Sequence, residues 1–297
     1  MTKVEKIILL LGCALLITSC SQAGNKRSAS AEMIVSVSVL PQKYFVESIG
    51  GDHVQVNVMV GPGDSPHSYE PKASQMTALS NSRVYFKIGV EFEEAWMPRI
   101  KAANSDMQIV DVSQNISRLE MASHEHTDSD DHEEEAHAID PHIWTSPQNG
   151  IQIANTITDS LISLDAEHAD EYRSNRDALI ANILSLQDDI KEEFSGLENR
   201  SILVFHPAWG YFAHEFELQQ IPIEVEGSEP SPRELTEVIE KAKDLNIHVI
   251  FAQPEFSTRT AENIATEING KVLLISPLAE NWLENLRQVA TIFSEEL

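Results

Sequence analysis

Asp177-Ala178-Leu179-Ile180-Ala181-Asn182-Ile183-Leu184-Ser185-Leu186-Gln187-Asp188-Asp189-Ile190 divides this chain in two. Leu179, Ile183, Leu186 and Ile190 step by three or four residues, so they share one face of a helix of several turns that the spacing carries to Gly196. The preceding Gly150 to Leu164 has a helical pattern of its own and breaks near Asp165. From Pro147 to Gly196 no run reads convincingly as a strand. A long helix here would either act as a stiff connector that limits opening between two lobes or pack on one lobe alone.

On each side of it, short β-branched runs alternate with turns and helical spacing. Ile34-Val39, Val54-Val60, Val84-Ile88 and Gln108-Val112 form one set of candidate strands. Ser201-Phe205, Ile223-Val225, His248-Ala252 and Lys271-Ile275 form a second. Pro232-Asn246 and Thr258-Asn269 read as helices between members of the second set. Strands alternating with helices imply parallel sheets covered on both faces. The expected fold class is therefore α/β, with two lobes of four mainly parallel strands each. The lobes would span 32–146 and 197–297, with the helical segment 147–196 between them.

The N-terminus points to a compartment. Lys3 and Lys6 precede an apolar run from Ile7 to Ile17, too short for the roughly 20 residues that span a bilayer. It ends in Ile17-Thr18-Ser19-Cys20, which resembles a bacterial lipoprotein signal over 1–19, with Cys20 as the lipidated residue and a flexible tether over 20–31. Cys13 falls within the signal, so the folded domain would hold no disulfide. The chain is strongly acidic, 47 acids against 21 bases, and losing Lys3 and Lys6 with Glu5 makes it more so. Such a surface repels nucleic acid and anionic lipid and concentrates cations.

Between His124 and His137 the chain reads His-Glu-His-Thr-Asp-Ser-Asp-Asp-His-Glu-Glu-Glu-Ala-His, with four of its 11 histidines. No apolar residue larger than alanine occurs there, which predicts a solvated loop. Imidazole and carboxylate donors suit borderline and hard divalent cations. Three further histidines fall just beyond candidate strands: His67 in Ser65-Pro66-His67, His142 in Asp140-Pro141-His142, and His206 in Phe205-His206-Pro207. Open α/β sheets bind ligands at that edge. Each is next to a proline, which lowers the entropy lost when an imidazole is fixed. Zinc accepts three imidazoles with a fourth oxygen donor or water, whereas manganese prefers more carboxylate. His53, His168, His214 and His248 read as surface or packing residues.

Pro66-His67-Ser68-Tyr69-Glu70-Pro71, Asp140-Pro141-His142-Ile143-Trp144, Phe205-His206-Pro207-Ala208-Trp209-Gly210-Tyr211-Phe212 and Glu224-Val225-Glu226-Gly227-Ser228-Glu229-Pro230-Ser231-Pro232 resemble the zinc-binding ABC-transporter solute receptors of the ZnuA type. The resemblance runs from about Ile34 to the end of the chain. It implies two lobes joined by a long backbone helix, with Zn(II) in the cleft between them. A cognate ABC permease and ATPase would receive the metal from a monomeric receptor lipid-anchored in the cell envelope through Cys20. The histidine-rich loop would collect or sense zinc. Manganese receptors of the wider family place a glutamate where this chain has His206.

One departure concerns the fourth ligand. Many members carry an aspartate before Pro-Leu in the last cleft loop, and others a glutamate directly after it; here those positions are Ser276 and Ala279. Water or Glu280 would then complete the site, while Glu226 and Glu255 also lie near strand ends. Two other functional classes remain in view: a zinc-dependent hydrolase, and a manganese receptor or adhesin-type lipoprotein. A hydrolase needs a base near the metal and a substrate pocket, and no His-Glu-x-x-His helix occurs.

Overall fold

Val35, Val37 and Val39 alternate with Ser36 and Ser38 along β1 (Met33–Val39), and all five are fully buried. A strand buried on both faces belongs in the middle of a sheet covered on both sides. The computed structural model, which describes residues 32–121, 138–224, 228 and 230–297, places it there. The segment 1–31 with Cys20, the loop 124–137 and Glu226 lie outside the described residues. The buried serines are satisfied: Ser36 Oγ pairs with Ser82 Oγ and Ser38 Oγ with the Tyr85 hydroxyl, each at 2.7 Å.

β1 is flanked by β2 (Val54–Val60) and β3 (Val84–Lys87), with β4 (Gln108–Asp111) beyond β3, all parallel. The second sheet repeats the plan with β5 (Ser201–Val204) between β6 (Gln219–Pro222) and β7 (Val249–Ala252), and β8 (Lys271–Leu274) outermost. The fold is thus two α/β lobes with the same strand order. The first lobe carries α1 (Leu40–Gly50), α2 (Ala73–Leu79) and α3 (Glu91–Ala103). After it come α4 (Pro147–Leu164) and α5 (Ala169–Glu193). The second lobe adds α6 (Gly210–Glu215), α7 (Pro232–Asp244), α8 (Arg259–Glu267) and α9 (Trp282–Glu296).

One strand differs from the sequence reading. The expected run Ile223-Val225 follows the strand; β6 is Gln219-Gln220-Ile221-Pro222, in register with Ser201–Val204. β6 is an edge strand, where glutamine is tolerated on the open side and proline removes no needed ladder donor. Apolar periodicity therefore points past it.

The long helix α5 packs against both α1 and α9, with Leu179, Ile183, Leu186 and Ile190 buried beneath it. One apolar core runs from Val35 and Phe45 through Ile157 and Ile183 to Phe251 and Phe293. Successive β5 residues divide between the two cores: Ile202 and Val204 face this one, and Leu203 faces a smaller one under α7 and α8. A wide hinge motion would expose that shared core, which opposes large opening between the lobes.

Two indoles tie the loops at the junction. Trp144 Nε1 donates to Pro277 O at 2.7 Å, and Trp282 Nε1 donates to Trp144 O at 2.6 Å. α4 comes so close to Trp282 that a Cβ on Gly150 would sit 2.7 Å from the indole. α4 itself starts on Ser146, whose Oγ accepts from Asn149 N at 3.1 Å, followed by Pro147 at the first helical position.

Candidate metal centre

His67, His142 and His206 are fixed by different local devices. His67 lies in the loop that leaves β2, between Pro66 and Ser68, and its ring is partly exposed. His142 is held by its own neighbour: Asp140 Oδ1 accepts from both the His142 backbone N and its Nδ1, each at 2.8 Å. His206 lies two residues beyond β5 and is 2% exposed. Its Nδ1 meets Glu224 Oε2 at 2.7 Å, and Glu224 is placed by its backbone N–H donating to Phe205 O at 2.9 Å. His67 completes the pattern, with Nδ1 2.9 Å from Glu91 Oε1 at the start of α3. A Cβ on Gly210 would lie 2.5 Å from Asp140 Oδ2, so only glycine leaves that carboxylate its place beside α6.

One ligand nitrogen from each of the three imidazoles lies within 4.8 Å of the other two. Every Nδ1 is engaged by a carboxylate, which acts as acceptor and so fixes the proton on Nδ1. The lone pair is then on Nε2 in all three rings. His67 Nε2 and His206 Nε2 face each other at 3.0 Å. Two acceptors at that distance repel unless a cation lies between them. Tetrahedral zinc, with Zn–N of about 2.0–2.1 Å, sets its nitrogen ligands about 3.3 Å apart, close to this spacing. The three carboxylates strengthen each imidazole as a donor and offset the charge of a dication.

Burial holds His206 below its ordinary value, against the opposing hydrogen bond to Glu224, so its ring is neutral and ready to coordinate at pH 7. Burial would raise Glu91, but the hydrogen bond and charge of His67 prevail and keep its carboxyl low.

Glu280 does not join the cluster. Its carboxylate is more than half exposed and pairs with Lys43 on α1, whose ammonium it raises. The sequence could not show this cation, because Lys43 is 237 residues away. His53 and His168 stack at 3.8 Å, and each meets a carboxylate, Glu171 and Asp165 respectively. His214 is exposed on α6, and His248 Nδ1 meets Ile268 O at 3.0 Å. Glu91, Asp140 and Glu224 are the functional residues that sequence reading gave no role. Only Asp140, two residues before its histidine, left a local signal.

The family model described as zinc-uptake complex component A, periplasmic (ZnuA), matches residues 35–296. The chain belongs to the ZnuA family. Among solved structures, a crystal structure of ZnuA superposes with a TM-score of 0.83 at 42% identity, over 89% of this chain and 99% of that one. The zinc-binding lipoprotein AdcA of Streptococcus pneumoniae is 28% identical over 281 residues, 92% of this chain but 55% of AdcA. The chain thus spans about half the length of that relative. The manganese-binding lipoprotein MntA of Halalkalibacterium halodurans is 26% identical over 92% of this chain and 89% of its own.

In this ZnuA-family site, neutral imidazole sets the pH response. The unfolded chain takes up a proton near 6.5 that buried His206 refuses, so this part of the apo stability is present above that value. It is lost as pH falls through the lowered folded value. Partly exposed His168, raised by its hydrogen bond to Asp165, acts weakly in the opposite direction. A metal ion held by the three imidazoles would add about 4 kcal/mol at a thousandfold excess over its dissociation constant. Protons compete for the same lone pairs. Melting curves with and without zinc should therefore differ most at pH 7 and converge toward pH 5. Equal melting temperatures at pH 7 under excess zinc would rule out a folded-state site.

Proposed function

We propose that the chain is an extracytoplasmic receptor that binds Zn(II) through Nε2 of His67, His142 and His206 and delivers it to an ABC permease and its ATPase. The observation that carries this reading is the convergence of three imidazole nitrogens, each with its Nδ1 already committed to a carboxylate. Three imidazole nitrogens in one site favour zinc over manganese, which prefers a set richer in carboxylate oxygen. The cavity beside His67 and His142 measures about 10 Å³, room for roughly one water-sized particle and far below the several hundred Å³ of an organic ligand pocket. That size suits an ion as cargo and leaves a hydrolase no place for its substrate. Among the described residues no helix is long and apolar enough to cross a membrane. Attachment at the cell envelope would fall to a lipid on Cys20, with the receptor working as a monomer.

The histidine-rich loop 124–137 would gather zinc without supplying the cargo site. Its stem is closed by Met121 N donating to Ala138 O at 2.7 Å and Asp140 N donating to Leu119 O at 2.9 Å. A short linker can therefore replace 122–137 without moving His142. Ordering a polar loop around metal costs about 1–2 kcal/mol per fixed residue, which makes its sites weaker than a preformed one. Zinc and manganese titrations of the wild type and of the loop deletion test both points. One tight zinc site should survive the deletion, with the weaker sites lost and manganese bound less tightly than zinc. Loss of the tight site on deletion, or tighter manganese binding, would overturn the reading.

A further inference from the structure

Glu255 stands in Gln253-Pro254-Glu255-Phe256, directly after β7, on the same carboxyl edge of the second sheet as His206. Its Oε1 accepts the hydroxyl of Ser276 at 2.6 Å. Ser276 Oγ in turn accepts from Leu278 N at 3.1 Å, which leaves the hydroxyl proton for Glu255 and fixes the direction of the carboxylate. The other oxygen, Oε2, is buried and has no hydrogen-bond partner among the described residues. Gln253, 5% exposed, has its Nε2 buried and unpartnered as well. Both residues line the small cavity shared with Ser65, His67, His142 and Phe256.

A carboxylate oxygen in such a place is costly unless a cation meets it. Four other acids near the site, among the described residues, are committed. Glu91, Asp140 and Glu224 hold the three Nδ1 atoms, and Glu280 is paired with Lys43. We propose that Glu255, oriented by Ser276, supplies the fourth donor to the metal through Oε2. The donor set is then three nitrogens and one oxygen, a common zinc arrangement that also adds a negative charge to the site. Gln253, whose Nε2 is also unpartnered among the described residues, lines the same cavity.

This inference rests on the three-histidine reading, and the two are separable by experiment. Zinc affinity is measured by calorimetry, and the cobalt(II)-loaded protein by its visible absorption, for wild type, Glu255→Gln, Glu255→Ala and His67→Ala. Apo melting curves show that each variant is folded. Both Glu255 variants should bind zinc at least about tenfold more weakly, judged against the roughly 10–100-fold effect of losing even an outer partner. Their cobalt spectra should shift as a carboxylate ligand is lost. If both bind within twofold of wild type with an unchanged cobalt spectrum while His67→Ala loses the tight site, Glu255 is not a ligand. If His67→Ala also binds normally, the histidine site itself is wrong.

Discussion

His206→Ala should abolish tight zinc binding: the expected loss exceeds about 100-fold, because even outer partners of metal ligands are worth roughly 10–100-fold. The side chain is 2% exposed and its removal leaves the Glu224 carboxylate without its hydrogen bond, so the apo variant also melts lower. His67→Ala separates the two effects. The His67 ring is 25% exposed and its partner Glu91 is partly solvated, so this variant keeps most of its stability while losing the same ligand count. Calorimetry on both, with apo melting as the control for folding, should give matching losses in affinity and unequal losses in stability. Wild-type affinity in either variant would contradict the assignment.

Trp282→Ala is expected to cost about 3–5 kcal/mol of stability, the usual range for emptying a large aromatic site. The indole is 1% exposed, lies 4.6 Å from the Phe45 ring, and donates to Trp144 O. For a domain of this size that is a fall of roughly 6–20 °C in melting temperature. Zinc affinity should drop too, since Trp144 follows His142 closely and is itself tied to Pro277 O beside Ser276. Trp282→Phe keeps the ring contact and loses the hydrogen bond, so it should fall between the two. A melting temperature for Trp282→Ala within about 2 °C of wild type would mean that this junction does not hold the lobes together.

Strands with both faces buried announced themselves in the sequence. Val35, Val37 and Val39 are β-branched because β1 is central, and β5 reads as a continuous apolar run for the same reason. β6 was hidden because an edge strand can carry Gln219, Gln220 and Pro222. The amphipathic stripe of α5 was legible, but its contact with both α1 and α9 was not, since a stripe states that a face is buried and not against what. His67, His142 and His206 stood out through their prolines and their places after strands. Their partners were harder to read: Asp140 is local, whereas Glu91 and Glu224 reach their histidines only through the fold. Glu280 looked available because nothing near it in the chain shows Lys43. In the sequence Glu255 is one acid among several near strand ends; its bond to Ser276 and its buried oxygen, unpartnered among the described residues, distinguish it.

Anomalous diffraction at the zinc edge, from crystals of the protein loaded with one equivalent of zinc, tests the site most directly. The expected map holds one dominant peak, within about 2.0–2.1 Å of Nε2 of His67, His142 and His206. A dominant peak anywhere else, with those three imidazoles bearing no metal, would contradict it.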